Sequence, residues 1–273
     1  MKADLHMHTT ESDGRLTRKE LFAYAATKDV DIISITDHDV CRHVEENRSL
    51  AREHGLKYIP GIELSTLYQN KSVHLLGYFT DKSYASTSMR KYYRMIKEGR
   101  ENRAKQFIEN LKRHFDIEIS YERLLELSSG IIARPHIARA IMENYPQYSH
   151  DEIFDNFIGD DAKAFVPSTE LTTEAGIKLL RKNNCVVILA HPKLLKPYIH
   201  DDVLKLDFDG IEAIYGMNSS TETALYKQMA KDNDWLITAG SDFHGIRNDT
   251  SHKDVGYVSL SGDALMEFLK KLD

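Results

Sequence analysis

Cysteine is almost absent: Cys41 and Cys185 are the only two in 273 residues, far apart and in no Cys-x-x-Cys spacing. That excludes a disulfide framework and leaves a thiolate zinc site without support. Cys185 opens the apolar run Val186-Val187-Ile188-Leu189 and reads as core filling. Long apolar runs are missing too, and Met1-Lys2-Ala3-Asp4 leads into a strand pattern with no signal-like segment, so a cytoplasmic protein without a membrane partner is expected. Excess positive charge is the third absence. The net charge of -6 speaks against a broad basic surface for nucleic acid. An anionic substrate would have to be attracted locally, as bound divalent cations can do.

What is present is a hydrophobic fraction of 41%, enough to bury the core of one large α/β unit or of a barrel carrying an insertion. Short β-branched runs alternate with amphipathic stretches. Lys2 to His6, Asp31 to Thr36, Leu56 to Glu63, Val73 to Tyr78, Cys185 to Ala190, Gly210 to Ile214, Trp235 to Ala239 and Val255 to Leu260 read as strands. Thr17-Arg18-Lys19-Glu20 has capping-box form, and Gln69-Asn70-Lys71 is a polar turn between strands. From about Ser88 to Asp161 the strand pattern disappears, and Met89 to Phe115 reads as one long helix followed by shorter ones. The expected organisation is a β/α barrel built from 1–87 and 162–273, with a helical insertion at 88–161.

The long helix carries nine Lys or Arg between Met89 and Arg113 against three Glu, a pattern that ordinarily marks a solvated face. Arg100 fits that account poorly, because Tyr93, Ile96, Ala104, Phe107 and Leu111 share its helical seam. It is expected to point toward the barrel, where Arg100 or Arg103 could grip an anion through a guanidinium.

Histidine is where the sequence is most specific. In Asp4-Leu5-His6-Met7-His8 the alternation of a strand puts both imidazoles on one face, able to hold one ion from a rigid element. Alone, a His-x-His pair is more often accidental or a satisfied core pair. Three further clusters change this: Thr36-Asp37-His38-Asp39, Ala190-His191-Pro192 and Ser241-Asp242-Phe243-His244, each in or just after a predicted strand, where β/α barrels assemble their sites. Nine candidates follow: His6, His8, Asp13, His38, Glu63, His74, His191, Asp242 and His244. All offer nitrogen or oxygen, which suits Zn, Mn or Fe. Nine exceed the needs of one ion, so two or three divalent cations are expected, with carboxylates bridging neighbours.

Through DLHMHTTESDG, ITDHD, PGIE, VHLLG, LAHP and GSDFH, in that order from Asp4 to His244, the chain resembles the PHP (polymerase and histidinol phosphatase) family. The resemblance covers nearly all of the chain outside the helical insertion. It implies a distorted seven-stranded β/α barrel and a trinuclear centre: His6, His8, Glu63 and Asp242 on the first metal; Glu63, His74 and His191 on the second; Asp13, His38 and His244 on the third. Asp13 stands where other members have His. Asp37 and Asp39 read as supports or turn residues beside His38. Within the family, GRLT, NKSVHLLGYFTD and the insertion segments GRENR and ARPH are most similar to the nucleoside phosphatase branch. That similarity implies a nucleoside 3',5'-bisphosphate, a nucleoside monophosphate or the 5' end of a short RNA as substrate.

The implied reaction is attack on phosphorus by hydroxide generated at the metals, with Glu63, His191 and Asp242 in the machinery and no covalent phosphoenzyme. Arg134, just before a helix in Arg-Pro-His-Ile-Ala-Arg, is the preferred phosphate contact, with a structural ion pair as the competing account. His136 is a candidate substrate contact or proton donor, and Lys193 a weaker anion contact. His43, His54, His114, His150, His200 and His252 lack companions and read as surface residues. Trp235 reads as packing, whereas Tyr92 and Tyr93 could stack on a base. Histidinol phosphate phosphatase, an amidohydrolase-type metallohydrolase and a non-catalytic metal-binding module are the alternatives.

Overall fold

The computed structural model describes residues 1–128, 132–167, 171–247 and 252–273. Its strands are β1 (Lys2–Asp4), β2 (Ile32–Ile35), β3 (Lys57–Tyr68), β4 (Lys71–Phe79), β5 (Cys185–Leu189), β6 (Gly210–Tyr215), β7 (Leu236–Gly240) and β8 (Leu260–Ser261). They form one sheet in the order β7-β6-β5-β4-β3-β2-β1-β8. The β1-β2-β3 and β5-β6-β7 runs are parallel, whereas β4 is antiparallel to both of its neighbours. Strands β2 and β5 are buried along their whole length, as a parallel sheet covered on both faces requires.

Beyond Asp4 the chain continues alongside β7. Leu5 N–H donates to Ala239 O, Asp242 N–H to His6 O and His8 N–H to Phe243 O, all at 2.9 Å, so the sheet curls nearly closed into a barrel. Two differences from the sequence reading stand out. The sheet has eight strands rather than seven, the eighth being two residues antiparallel to β1. Val255 to Leu260 is mostly not strand: Tyr257 N–H closes a turn on Asp254 O, and Gly256 sits at φ 74 with its N–H given to buried Asp4 at 2.9 Å. By contrast β3 runs past Glu63 into a tight hairpin, where Gln69 and Asn70 both take positive φ (48 and 62), as a two-residue turn between twisted strands demands.

Helices α1 (Arg18–Ala25) and α2 (Val44–Glu53) follow β1 and β2, and α1 opens on the expected Thr17–Glu20 capping box. Next come α3 (Thr87–Phe115), α4 (Tyr121–Ser128), α5 (Arg134–Asn144) and α6 (His150–Ile153); α7 (Thr173–Lys182), α8 (Pro197–Val203), α9 (Ser220–Asp232) and α10 (Gly262–Leu272) return to the barrel. The 29-residue α3 spans two cores with one seam. Its Met89, Tyr92, Tyr93 and Ile96 pack with Cys41 and Cys185 against the barrel, while Ala104, Phe107 and Leu111 join a second cluster drawn wholly from residues 104–166. Both cysteines are free thiols in that first core, and Trp235 packs at its edge against Phe208. No helix of the described residues is long and apolar enough to cross a membrane.

Candidate metal centre

His6 and His8 leave the end of β1 on one face, as alternation predicts, and both are fully buried. Their Nε2 atoms stand 3.2 Å apart. Asp242 Oδ1 lies 3.4 Å from His6 Nε2 and 3.2 Å from His8 Nε2; Glu63 Oε2 lies at the same two distances. These spacings match the edges of a tetrahedron of N and O ligands, about 3.4 Å when each bond is about 2.1 Å. Around this group Glu63 Oε1 meets His74 Nδ1 and His191 Nε2, each at 2.9 Å, and Glu63 Oε2 meets His38 Nδ1 at 2.9 Å. Asp13 faces His244 Nε2 at 3.3 Å and His38 Nε2 at 3.7 Å. All nine sequence candidates thus converge on one pocket floor. Glu63 Oε2, His38 Nδ1 and Asp13 Oδ1 are buried with no hydrogen-bond partner despite these close neighbours. Ligand atoms aimed at cations, rather than at one another, look like this.

The imidazoles are pre-oriented. Glu212, buried on β6, accepts from His6 Nδ1 at 3.0 Å and from the His191 backbone N–H at 2.9 Å. His6 therefore keeps its Nε2 lone pair for a ligand. Asp37 accepts from Thr9 N–H, Thr9 Oγ and Ser12 Oγ, each at 2.7 Å, and Ser12 Oγ sits 3.3 Å from His8 Nδ1. His244 Nδ1 donates to the carbonyl of Asp242 at 2.8 Å. Asp37 thus supports His8 rather than the adjacent His38. Glu212 and Tyr215, whose hydroxyl donates to Asp242 Oδ2 at 3.0 Å, escaped the sequence reading. The available signal was a lone carboxylate inside the otherwise apolar run Gly210-Ile211-Glu212-Ala213.

Three of the nine non-glycine residues with positive φ among the described residues lie here: His191, Asp242 and Asp39, at 24, 56 and 60. Gly240 marks the tightest approach: a Cβ there would stand 2.2 Å from Glu212 Oε1 and 2.3 Å from His6 Cβ. Gly240→Ala is expected to displace His6 and lower affinity for divalent cations by at least about tenfold. Calorimetric titration with manganese checks this.

Proton and cation compete for this cluster. Burial works against charge on His8, but Asp242 and Glu63 outweigh it and push its pKa up to about 10. Burial would likewise raise Glu63 and Asp242, yet the surrounding histidines hold both well below the usual carboxylate range. Without metal, His8 is therefore protonated near neutral pH, and a cation must displace that proton. Manganese binding is expected to release protons and to weaken as pH falls, which calorimetry in buffers of differing ionisation enthalpy measures.

Above the floor opens a cleft of about 970 Å³ lined by Arg15, Arg100, Arg103, Arg134, Arg139 and Arg247. Burial, then the charges of Arg134 and Arg100, disfavour the charged form of Arg103; burial and Arg139 do the same at Arg15. Cations crowded in this way favour an anion among them. Arg100 is buried as expected and bonds Asp39 Oδ2 at 2.7 Å and His38 O at 3.1 Å, leaving one buried guanidinium nitrogen unpartnered. Arg103 donates to Val166 O at 2.8 Å, and Arg134 pairs with Asp160 at 2.7 Å while still lining the cleft.

His136 is buried in the first turn of α5, where its Nδ1 accepts the Ala133 N–H at 2.9 Å. Burial lowers its pKa to about 4, so it is a neutral hydrogen-bond donor through Nε2. Lys193 pairs with Glu222 at 2.6 Å, away from the cleft lining. Tyr92 and Tyr93 are buried and Tyr92 donates to Asp39 at 2.8 Å, which removes them as base platforms. His252, read from the sequence as a surface residue, instead lines the cleft beside His244 and Asp242.

A barrel on which histidines and carboxylates from separate strands converge has the donor set of a metal-dependent protein. The family model of the PHP domain matches residues 4–164, and the chain belongs to that family. Relatives include a 5'-3' exoribonuclease of Haemophilus influenzae, 28% identical over 89% of this chain and 90% of its own, and a 3',5'-nucleoside bisphosphate phosphatase of Chromobacterium violaceum, 25% identical over 93% and 90%. The fold is shared with an amidohydrolase from Chromobacterium violaceum solved with sulfate and no metal (TM-score 0.84, 22% identity, 99% of this chain and 97% of that one). It is shared also with a Bifidobacterium adolescentis protein described as a metal-dependent phosphoesterase (TM-score 0.79, 24% identity, 98% and 96%). Family, cluster and relatives together make the chain a metal-dependent phosphoesterase.

Proposed function

We propose that the protein hydrolyses phosphate esters of nucleotides, acting on a nucleoside 3',5'-bisphosphate or on the 5' end of a short RNA. The observation that carries this reading is the placement of a cation-type cluster directly beneath six arginines in one cleft. A nucleoside with two phosphates matches both, one ester over the cluster and the second anion among the arginines. The relatives' names point to the same substrate class.

The donor set fits divalent cations on the evidence of its orphaned buried atoms. His6, His8, Glu63 and Asp242 would hold one; Glu63, His74 and His191 a second; Asp13, His38 and His244 a third. Such ions lower the pKa of bound water from about 15.7 to about 7 and offset charge on phosphate oxygens. The chain's own residues do the rest. Glu212, Asp37 and Ser12 fix the imidazole tautomers. Arg134, which lines the cleft, orients phosphate oxygens for in-line attack, and Arg100, held on Asp39 and the His38 carbonyl, adds fixed positive charge beside it, where preorganised charge stabilises the transition state. His136 supplies a neutral N–H at the insertion side. In this reading 1–87 and 162–273 are the catalytic barrel, and 88–161 the insertion that brings these arginines over it.

Manganese-loaded protein assayed on adenosine 3',5'-bisphosphate, AMP, histidinol phosphate and a short 5'-phosphorylated RNA tests the proposal. Preference for the bisphosphate or the RNA over AMP is expected. Preference for histidinol phosphate would overturn it.

A further inference from the structure

We infer that Asp160 is a positioning residue, which holds the Arg134 guanidinium in register with the imidazoles of His74 and His191. The inference rests on the reading in which Arg134 contacts phosphate, and it adds the residue that fixes where that contact lies. Asp160 Oδ1 accepts from Arg134 Nη1 at 2.7 Å, while Oδ2 accepts the Ser72 backbone N–H at 3.1 Å. One carboxylate thereby links the first turn of α5, which carries the arginine, to β4 two residues before His74. Lys71 Nζ reaches the Asp160 carbonyl at 3.4 Å, and Lys196, five residues past His191, pairs with Asp161 at 2.8 Å. The 160–161 turn is thus tied to both barrel segments that supply these imidazoles.

The guanidinium is confined on other sides as well. Its carbon lies 5.8 Å from the centre of the Phe154 ring and 5.6 Å from that of Phe165, within reach of a cation–π contact with each. Asp160 takes one of the five N–H donors, and Arg134 lines the cleft together with His74 and His191, so donors remain for an anion there. Burial would raise the Asp160 carboxyl, yet Arg134 and then the Ser72 amide hold it below the usual carboxylate range. Ionised, it can only accept, and it keeps both bonds. Arginine has a long, rotamer-rich side chain, and tethering its head in advance removes an ordering cost that phosphate binding would otherwise carry. The competing account is that Asp160 merely balances the charge of the arginine.

The test uses the manganese-loaded full chain as wild type, Asp160→Asn, Asp160→Glu, Arg134→Ala and the double variant Arg134→Ala with Asp160→Asn. Values of kcat and KM are measured on adenosine 3',5'-bisphosphate, and bound manganese is counted by mass spectrometry. Arg134→Ala should lower kcat/KM by about 100-fold or more. Asp160→Asn and Asp160→Glu should each lower kcat by about 10- to 100-fold at wild-type metal content, as a misplacement of about 1 Å does. The double variant should be no slower than Arg134→Ala, because the carboxylate acts through the arginine alone. Asp160→Glu keeps the charge but not the reach, and carries the test should Asp160→Asn not fold. Wild-type kcat in Asp160→Glu, or a lower KM at unchanged kcat in Asp160→Asn, overturns the inference in favour of charge balance. Losses that multiply in the double variant overturn it too, since Asp160 would then support the fold independently of Arg134. Wild-type turnover in Arg134→Ala, or a wild type inert toward the bisphosphate, would sink the phosphate-contact reading itself, a distinguishable result.

Discussion

Glu63→Gln is expected to abolish phosphate ester hydrolysis and to weaken metal binding by more than about 100-fold, since outer-shell changes alone cost 10 to 100-fold. Glu63 is 1% exposed, and its two oxygens reach five of the imidazoles at 2.9–3.4 Å. No other side chain among the described residues touches as many of the candidates. Glutamine keeps the shape but exchanges a charged acceptor for an amide whose NH₂ would confront ring nitrogens. Circular dichroism should be unchanged while metal content and turnover both fall. A variant that kept wild-type metal content would show that Glu63 is not the bridge.

The second large effect is on stability. Arg100→Met should destabilise the fold by about 3–5 kcal/mol, because it leaves the Asp39 charge buried without its partner. Asp39 is 1% exposed and accepts from Arg100, Tyr92, Ser65 N–H and Ser65 Oγ. Burial alone would raise its pKa, but Arg100 and then the Ser65 amide more than offset this and lower it. A carboxyl lowered in the native state stabilises the fold fully above its ordinary value of about 3.9, and that contribution is lost as pH falls below it. Urea unfolding should therefore show wild type losing stability through the acid range while Arg100→Met loses less. Adding Asp39→Asn to Arg100→Met should recover part of the loss. If Arg100→Met unfolds at the wild-type midpoint, the pair is not what joins α3 to the barrel.

Why some of this was legible in the sequence and some was not has physical causes. Most of the nine metal-type residues were visible because they are charged or imidazole side chains within or just after an apolar strand run, a placement that packing alone does not favour, whereas Asp13, in a turn beyond β1, was visible only through the motif DLHMHTTESDG. The α3 seam was visible because its apolar period stays in phase from Met89 to Leu111 and carries Arg100 inward with it. Glu212 was harder: a single carboxylate in β6 announces itself only once His6 and His191, distant in the chain, are known to face it. Val255 to Leu260 alternates like a strand, but a buried acceptor on Asp4 claims the Gly256 N–H and turns the chain. Tyr92 beside basic residues suggested a base platform. Its hydroxyl instead meets Asp39, a partner 53 positions earlier.

The most direct test of the account is anomalous diffraction from a manganese-soaked crystal. Strong peaks are expected among His6, His8, Glu63 and Asp242 and beside His74 and His191, beneath the arginine-lined cleft. A replete crystal with no peak at those side chains, its manganese bound elsewhere, would contradict it.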